Sequence, residues 1–306
     1  MSRRARPLRI GTRGSALALA QTESVIQALR ARFPDLPVER VVVRTSGDLG
    51  RRDVRGAFVK ELQRALLAGE IDLAVHSLKD LPTDPVPGLQ IAAVLERADP
   101  REALVTRSGW TWDTLPPGAR VGTGSPRRTA QLRALRPDLT YLPLVGNVDT
   151  RLRRLEEGGY EAIVVAMAGL LRLNRMGEGV QPFSISEVLP APGQGAIAVE
   201  IREGDRAVAS WVAPLHHPPT GWAVLAERAF LRSLGGGCRL PIAAYAEVQG
   251  DRLTLEGLVI APLGFPLGRA FRDRIEGPAT AAEALGQALG ERLRAQGAIR
   301  WLEAEG

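Results

Sequence analysis

The sequence is short of several things that whole classes of protein require. A single cysteine, Cys238, in 306 residues excludes any intrachain disulfide and any multi-cysteine metal site, as expected in a reducing compartment. Aromatic residues amount to only 5%, too few for the stacking platforms on which single-stranded nucleic acids bind. The longest apolar run, Ala162 to Leu171, falls well short of the roughly 20 residues that a membrane-spanning helix needs. Met1 to Arg13 carries arginines with no apolar h-region behind them, so no secretory signal is read there and a cytoplasmic location is expected. Two of the three histidines, His216 and His217, precede a proline pair with no Cys, Asp or Glu at ligand spacing, and no metal is expected.

Lysine is nearly absent too. Lys60 and Lys79 are the only ones, so the net charge of +6 is carried by arginine. The sequence pI near 10.3 raises the question of a nucleic-acid partner. The arginines are interspersed with Asp and Glu rather than gathered in runs, which is the pattern of a solvated surface, and neither nucleic acid nor membrane is expected as a partner. The informative arginines stand beside glycine loops, because a planar guanidinium grips a carboxylate or phosphate through two parallel hydrogen bonds. At 45% apolar and 24% charged, the chain has the composition of a globular protein with two or three cores.

The stretch I-D-L-A-V-H-S-L-K-D-L-P, Ile71 to Pro82, carries the clearest chemistry. Its first half reads as a buried strand, and its second half sets His76, Ser77, Lys79 and Asp80 just past the carboxyl end, where open α/β sheets present ligand-binding groups. Leu81-Pro82 blocks continuation into a helix. Elsewhere the plan repeats. Arg9-Ile10-Gly11-Thr12-Arg13-Gly14-Ser15 is echoed by Arg120-Val121-Gly122-Thr123-Gly124-Ser125, each followed by a helix carrying Ala-Gln, and the Gly-Glu-Ile-Asp at Gly69 by the Gly-Gly-Tyr-Glu at Gly158. Ser15 and Ser125 are the expected N-caps, the latter with Pro126 at the first helical position. Two similar α/β lobes follow from this, each turning a helix N-terminus toward a cleft suited to an anion. Arg13, Arg127, Arg128 and Arg151 lie at those loops and helix starts.

Pro190 to Gly195 reads as a rigid turn returning the chain to the first lobe, pairing with a first crossing near Arg97 to Arg101. After His216-His217-Pro218-Pro219 a helix over 221–234, three strands and a last helix over 280–295 indicate a small α+β domain. The expected division is 1–96 with 196–215, then 101–190, then 218–306. Cys238 follows three glycines; it is open to reading as a small buried hydrophobe or as a thiolate activated by nearby arginines.

Taken in order, I-G-T-R-G-S-A-L-A-L-A-Q, F-V-K-E-L, D-L-A-V-H-S-L-K-D-L-P, E-R-A-D-P-R-E-A, V-G-T-G-S-P-R-R, G-N-V-D-T-R, A-P-G-Q-G-A-I, A-E-R-A-F and G-G-G-C-R-L-P-I resemble the porphobilinogen deaminase (hydroxymethylbilane synthase) family over essentially the whole chain. The resemblance implies two lobes of the type II periplasmic-binding-protein kind joined by a double crossing, with a third, smaller α+β domain. It implies a transferase that polymerises four porphobilinogens head to tail on a covalent dipyrromethane primer and releases hydroxymethylbilane. By the same resemblance the primer is attached to Cys238, Asp80 is the catalytic acid, and Lys79, Asp80, Ser125, Arg127 and Arg128 hold the primer. Arg13, Ser15, Arg151, Arg172 and Gln194 fall to the incoming substrate and growing chain. A monomer that hands its product to uroporphyrinogen-III synthase is implied as well.

Two positions depart from the family pattern. Leu144-Val145-Gly146-Asn147 stands where L-R-G-N is expected, so an arginine is missing, and a shortened loop ends Asp53-Val54-Arg55-Gly56-Ala57-Phe58, with Arg55 in place of a lysine. The rival reading is a two-lobed, non-catalytic binding protein for a small polyanion. It accounts for the arginines but leaves Asp80 and Cys238 without a role.

Overall fold

The computed structural model describes residues 6–43, 59–236, 241–261 and 269–298. Its contacts divide the chain into two compact units, 1–97 with 196–221 and 98–195 with 222–306.

The elements of the first unit begin with β1 (Leu8–Thr12), α1 (Ala16–Arg32), β2 (Val38–Val42), α2 (Lys60–Leu67), β3 (Leu73–Ser77) and β4 (Leu89–Val94). The chain then leaves for β5 (Glu102–Thr106), β6 (Arg120–Gly122), α3 (Pro126–Leu135), β7 (Thr140–Leu142), α4 (Val148–Glu156), β8 (Ala162–Ala166), α5 (Met167–Arg172) and β9 (Val180–Pro182). It returns to the first unit as β10 (Ile197–Arg202) and α6 (Arg206–Val212). The two sheets run β2-β1-β3-β10-β4 and β7-β6-β8-β5-β9. Position for position they are the same sheet, and in each the fourth strand is antiparallel to both neighbours. That strand is the first one after a crossing, so each lobe is completed by chain arriving from the other. This is the type II arrangement that the family resemblance implied.

The repeat extends to side chains. Arg9 donates from its backbone N and its Nε to Asp72 and from Nη2 to the Gly69 carbonyl. Arg120 does the same with Glu161 and the Gly158 carbonyl, at 2.7, 2.9 and 3.0 Å. Gly69 and Gly158, at φ +71° and +82°, close α2 and α4 in the left-handed conformation that glycine adopts without strain. The paired arginine therefore fastens the end of a helix to the start of a neighbouring strand. The apolar run Ala162 to Leu171 is divided between β8 and α5, and among the described residues no helix is long and apolar enough to cross a bilayer.

The remaining elements are α7 (Pro218–Ser233), β11 (Ile242–Gln249), β12 (Arg252–Ile260), β13 (Ala270–Pro278) and α8 (Ala282–Ala295). The three strands form an antiparallel meander whose core is built on Phe230, Leu253, Leu255 and Leu289. Helix α8 lies so close on α7 that a Cβ on Gly286 would overlap the Ala226 carbonyl. A second, smaller cluster of Ala130, Leu189, Ala243, Leu258 and Ile260 joins α3 to this sheet. Helix α7 starts three residues before the expected Gly221, because prolines fit the first turn, where a missing N–H costs nothing. The histidines before it serve structure: His216 Nδ1 accepts from Val94 N at 3.1 Å and His217 Nδ1 lies 2.8 Å from Thr220 Oγ1.

Hydrogen bonding to Arg120 lowers the Glu161 carboxyl from 4.5 to about 2. The stabilisation it brings is complete above about pH 4.5 and is lost as the pH falls toward 2. Glu161→Gln should therefore lower the urea midpoint at pH 7, and its deficit relative to wild type should narrow progressively at pH 4 and pH 3. A deficit that does not change with pH would refute the assignment.

Candidate active site

In the first unit, the residues after β1 and β3 are held by short-range chemistry. Ser15 is the N-cap of α1, with extended φ and ψ and its side chain accepting from Ala18 N. Buried Thr12 donates its hydroxyl to the Ala18 carbonyl at 3.2 Å, tying strand end to helix start. Arg13 and Ser15 are half-buried on this turn.

Beyond β3 the chain makes one 3-10 turn, Leu78–Asp80, which stops at Leu81 (φ −72°, ψ 135°), extended as the residue before proline must be. Leu78 and Leu81 are both buried and anchor the turn on either side, which leaves Lys79 half-buried and Asp80 exposed. An exposed carboxylate next to an ammonium can pair with a developing cation and exchange protons.

Three side chains that sequence reasoning did not single out hold this turn. Gln21 exchanges hydrogen bonds with Ser77 at 2.8 and 3.0 Å. Glu200 on β10 approaches His76 Nε2 at 3.1 Å, an ion-pair distance without hydrogen-bond alignment, and accepts from Gln63 at 3.0 Å. Charged and amide groups this deep stay only where partners replace water. The signal for Gln21 was visible in the repeated Ala-Gln; none existed for Gln63 or Glu200.

In the second unit, Ser125 caps α3 and accepts from Arg128 N, with Pro126 at the first helical position. Arg127 and Arg128 come together on one buried carboxylate. Arg127 Nη1 lies 2.9 Å from Glu102 Oε1 and donates to the Leu189 carbonyl at 3.1 Å. Arg128 Nη2 lies 2.6 Å from Glu102 Oε2, off the hydrogen-bond direction, and its Nη1 donates to the Val164 carbonyl at 3.1 Å. Glu102 is fully buried and the two arginines nearly so. Arg128 Nε is left as a buried donor without a partner, a costly state unless an acceptor arrives. Two guanidiniums on one carboxylate, with an orphaned donor at a helix N-terminus, suit an acidic ligand.

Arg151 lies in the second turn of α4, capped by Asn147, and its Nε donates to the Gly146 carbonyl at 2.9 Å. Arg172 closes α5 and donates to the Gly195 carbonyl at 2.7 Å; burial pulls its guanidinium down to about 10, still charged at neutral pH. Gln194 is fully buried and donates to the Pro100 carbonyl at 2.8 Å, so its amide ties the two crossing segments together. Glu227 accepts from Gly193 N at 2.6 Å and Ala246 N at 2.7 Å, fixing the same turn to β11. Val145 is half-buried beside Gly124. Cys238 and Arg55 lie outside the described residues.

Residues 8–210 match the family model described as porphobilinogen deaminase, dipyromethane cofactor binding domain, and residues 222–295 match porphobilinogen deaminase, C-terminal domain. The porphobilinogen deaminase of Thermus thermophilus is 50% identical over 293 residues, covering 94% of this chain and 95% of that one. That of Acidothermus cellulolyticus is 49% identical over 308 residues, covering 97% and 91%.

Ser125→Ala should cost about 1 kcal/mol of stability through the lost N-cap, measured by urea unfolding. An unchanged midpoint would mean that Pro126 alone sets the start of α3.

Proposed function

As the chain belongs to the porphobilinogen deaminase family, we propose that Asp80 is its catalytic acid and that the dipyrromethane primer is carried on Cys238. The enzyme joins four porphobilinogens head to tail on that primer, releasing ammonia at each addition and finally hydroxymethylbilane by hydrolysis. The observation that carries the catalytic assignment is the single turn Leu78–Asp80, where buried leucines on both sides leave one carboxylate exposed at a strand's carboxyl end.

Lys79, Ser125, Arg127 and Arg128 hold the primer with Asp80, and the orphaned Nε of buried Arg128 is the feature that fits an acidic group there. When bound, the dipyrromethane supplies a nucleophilic pyrrole carbon for chain growth. Loss of ammonia from the protonated aminomethyl group of porphobilinogen leaves a methylene-pyrrole cation, and the Asp80 carboxylate balances that charge by accepting from the pyrrole N–H. The same oxygens then take up the proton released when the new carbon–carbon bond forms. Arg13, Ser15, Arg151 and Arg172 bind the acetate and propionate groups of the substrate and lengthening chain, each guanidinium–carboxylate pair adding about 1.5 to 3 kcal/mol. Gln194 acts from the crossing turn, where its side-chain amide donates to the Pro100 carbonyl next to the Gly195 carbonyl that Arg172 binds.

We further propose a three-domain division, with 218–306 as a separate cofactor-bearing domain, and a monomer acting in the cytoplasm and handing hydroxymethylbilane to uroporphyrinogen-III synthase. The binding-protein reading is not favoured, since it gives the exposed Asp80 no role.

Purified protein should be heavier than its sequence by two linked pyrrole units, and Cys238→Ser should lose both that mass and the activity. Active protein of unmodified mass would end the proposal. Asp80→Asn should stay folded by circular dichroism while turnover falls by about 10² to 10⁴-fold. Near-normal turnover would place the acid elsewhere.

A further inference from the structure

We propose that Glu102 is a positioning residue of the primer site, aiming the guanidiniums of Arg127 and Arg128 through a shared buried carboxylate. The inference rests on the functional reading above and concerns a residue that reading does not use. Glu102 opens β5, whose five residues are all buried, so its side chain has no route to bulk water. Because β5 is antiparallel to β8, its first residue pairs with Ala166, the last of β8. The carboxylate is thereby placed at the edge of the sheet where the parallel strands end and ligands bind. The same position in the first lobe is Ile197, which pairs with Ser77 at the end of β3. A carboxylate at this point is therefore not a requirement of the fold. It occurs only in the lobe whose helix start carries two buried arginines.

Each guanidinium is held twice, by one Glu102 oxygen and by one backbone carbonyl, Leu189 for Arg127 and Val164 for Arg128. Two N–H bonds fix the plane of the Arg127 guanidinium; one N–H bond and the 2.6 Å charge contact with Glu102 confine that of Arg128, and with it the directions of its other donors. Among them is the orphaned Nε of Arg128. The three side chains together carry one net positive charge. A primer carboxylate completes the cluster; Glu102 keeps the arginines apart and aimed until it does.

Positioning and simple neutralisation predict opposite signs. If Glu102 only reduced positive charge, Glu102→Gln would strengthen anion capture, and Glu102→Asp, with charge retained, would load as wild type does. If Glu102 aims the guanidiniums, both variants load poorly: the amide loses one of its two charge-assisted contacts, and the shorter aspartate cannot bridge both arginines. Full-length wild type, Glu102→Gln and Glu102→Asp, expressed in one host, are compared by intact mass for the fraction carrying two pyrrole units, normalised to folded protein by circular dichroism. The same chains are then given porphobilinogen, and the rate at which unmodified protein gains that mass is followed. The expected order is wild type, then Asp, then Gln, with the Gln variant reduced at least fivefold in fraction and rate. Folded variants that load as well as wild type, or better, would overturn the proposal. So would failure of both to fold, which would make Glu102 a residue of stability alone. Wild type without added mass would instead overturn the functional reading and this inference with it, an outcome distinguishable from the variant results.

Discussion

An antiparallel strand set beside the last parallel strand of each sheet is the constraint on which the rest of the molecule depends. A strand that runs against its neighbours must enter at their carboxyl ends. Both β5 and β10 do so, each as the first strand after a crossing. The chain therefore passes twice along the edge where an α/β sheet presents its ligand groups. The crossing residues are held in place by one another, with Leu95 N donating to the Ile197 carbonyl and Ala98 N to the Gly195 carbonyl. The side chain of Gln194 bonds the first crossing at Pro100, and those of Arg172 and Glu227 bond the second at Gly195 and Gly193.

Burial of charge follows from that topology. Strands that pair on both edges and are covered on both faces leave a carboxylate no water, so each one present has to find cations or N–H donors in the protein. On the strands, Glu102 finds two arginines and Glu200 a histidine and a glutamine; Glu227, buried on helix α7, finds two backbone amides. These are expensive solutions if they contribute only stability, since well-packed apolar side chains would do as well. Each also lies next to residues of the proposed site. Glu200 lies on the strand beside β3, which leads to Lys79 and Asp80; Glu102 contacts Arg127 and Arg128 at the start of α3; and Glu227 binds the turn that carries Gln194.

The duplicated framework is fastened alike in both lobes and then used differently. Arg9 with Asp72 and Arg120 with Glu161 make the same strand-to-helix clasp. The buried glutamines of the two Ala-Gln sequences have taken different roles. Gln21 holds the Ser77 hydroxyl, whereas Gln131 donates to the Leu189 carbonyl and accepts from its N–H. Arg127 bonds the same Leu189 carbonyl. One lobe thus steadies a turn bearing a carboxylate, and the other a pocket bearing guanidiniums.

What the sequence determined by itself was everything settled within a few residues. The N-caps Ser15 and Ser125 and the pre-proline halt at Leu81 all rest on local sterics and hydrogen bonding, which act the same way in any fold. Repetition of those local signals made the two lobes legible, and the ordered motifs pointed to Asp80, the arginines and Cys238. Strands β7 and β9, three residues each, left no periodicity to read, and the start of α7 was hidden behind prolines that usually mark a linker. The partners of the site residues were decided only by tertiary structure. Glu102 meets Arg127 across 25 positions, Gln63 meets Glu200 across 137, and Gln21 meets Ser77 across 56. Such meetings depend on strand order and register, in which a shift of one residue turns a side chain to the opposite face, and neither is written in the spacing of the residues that meet.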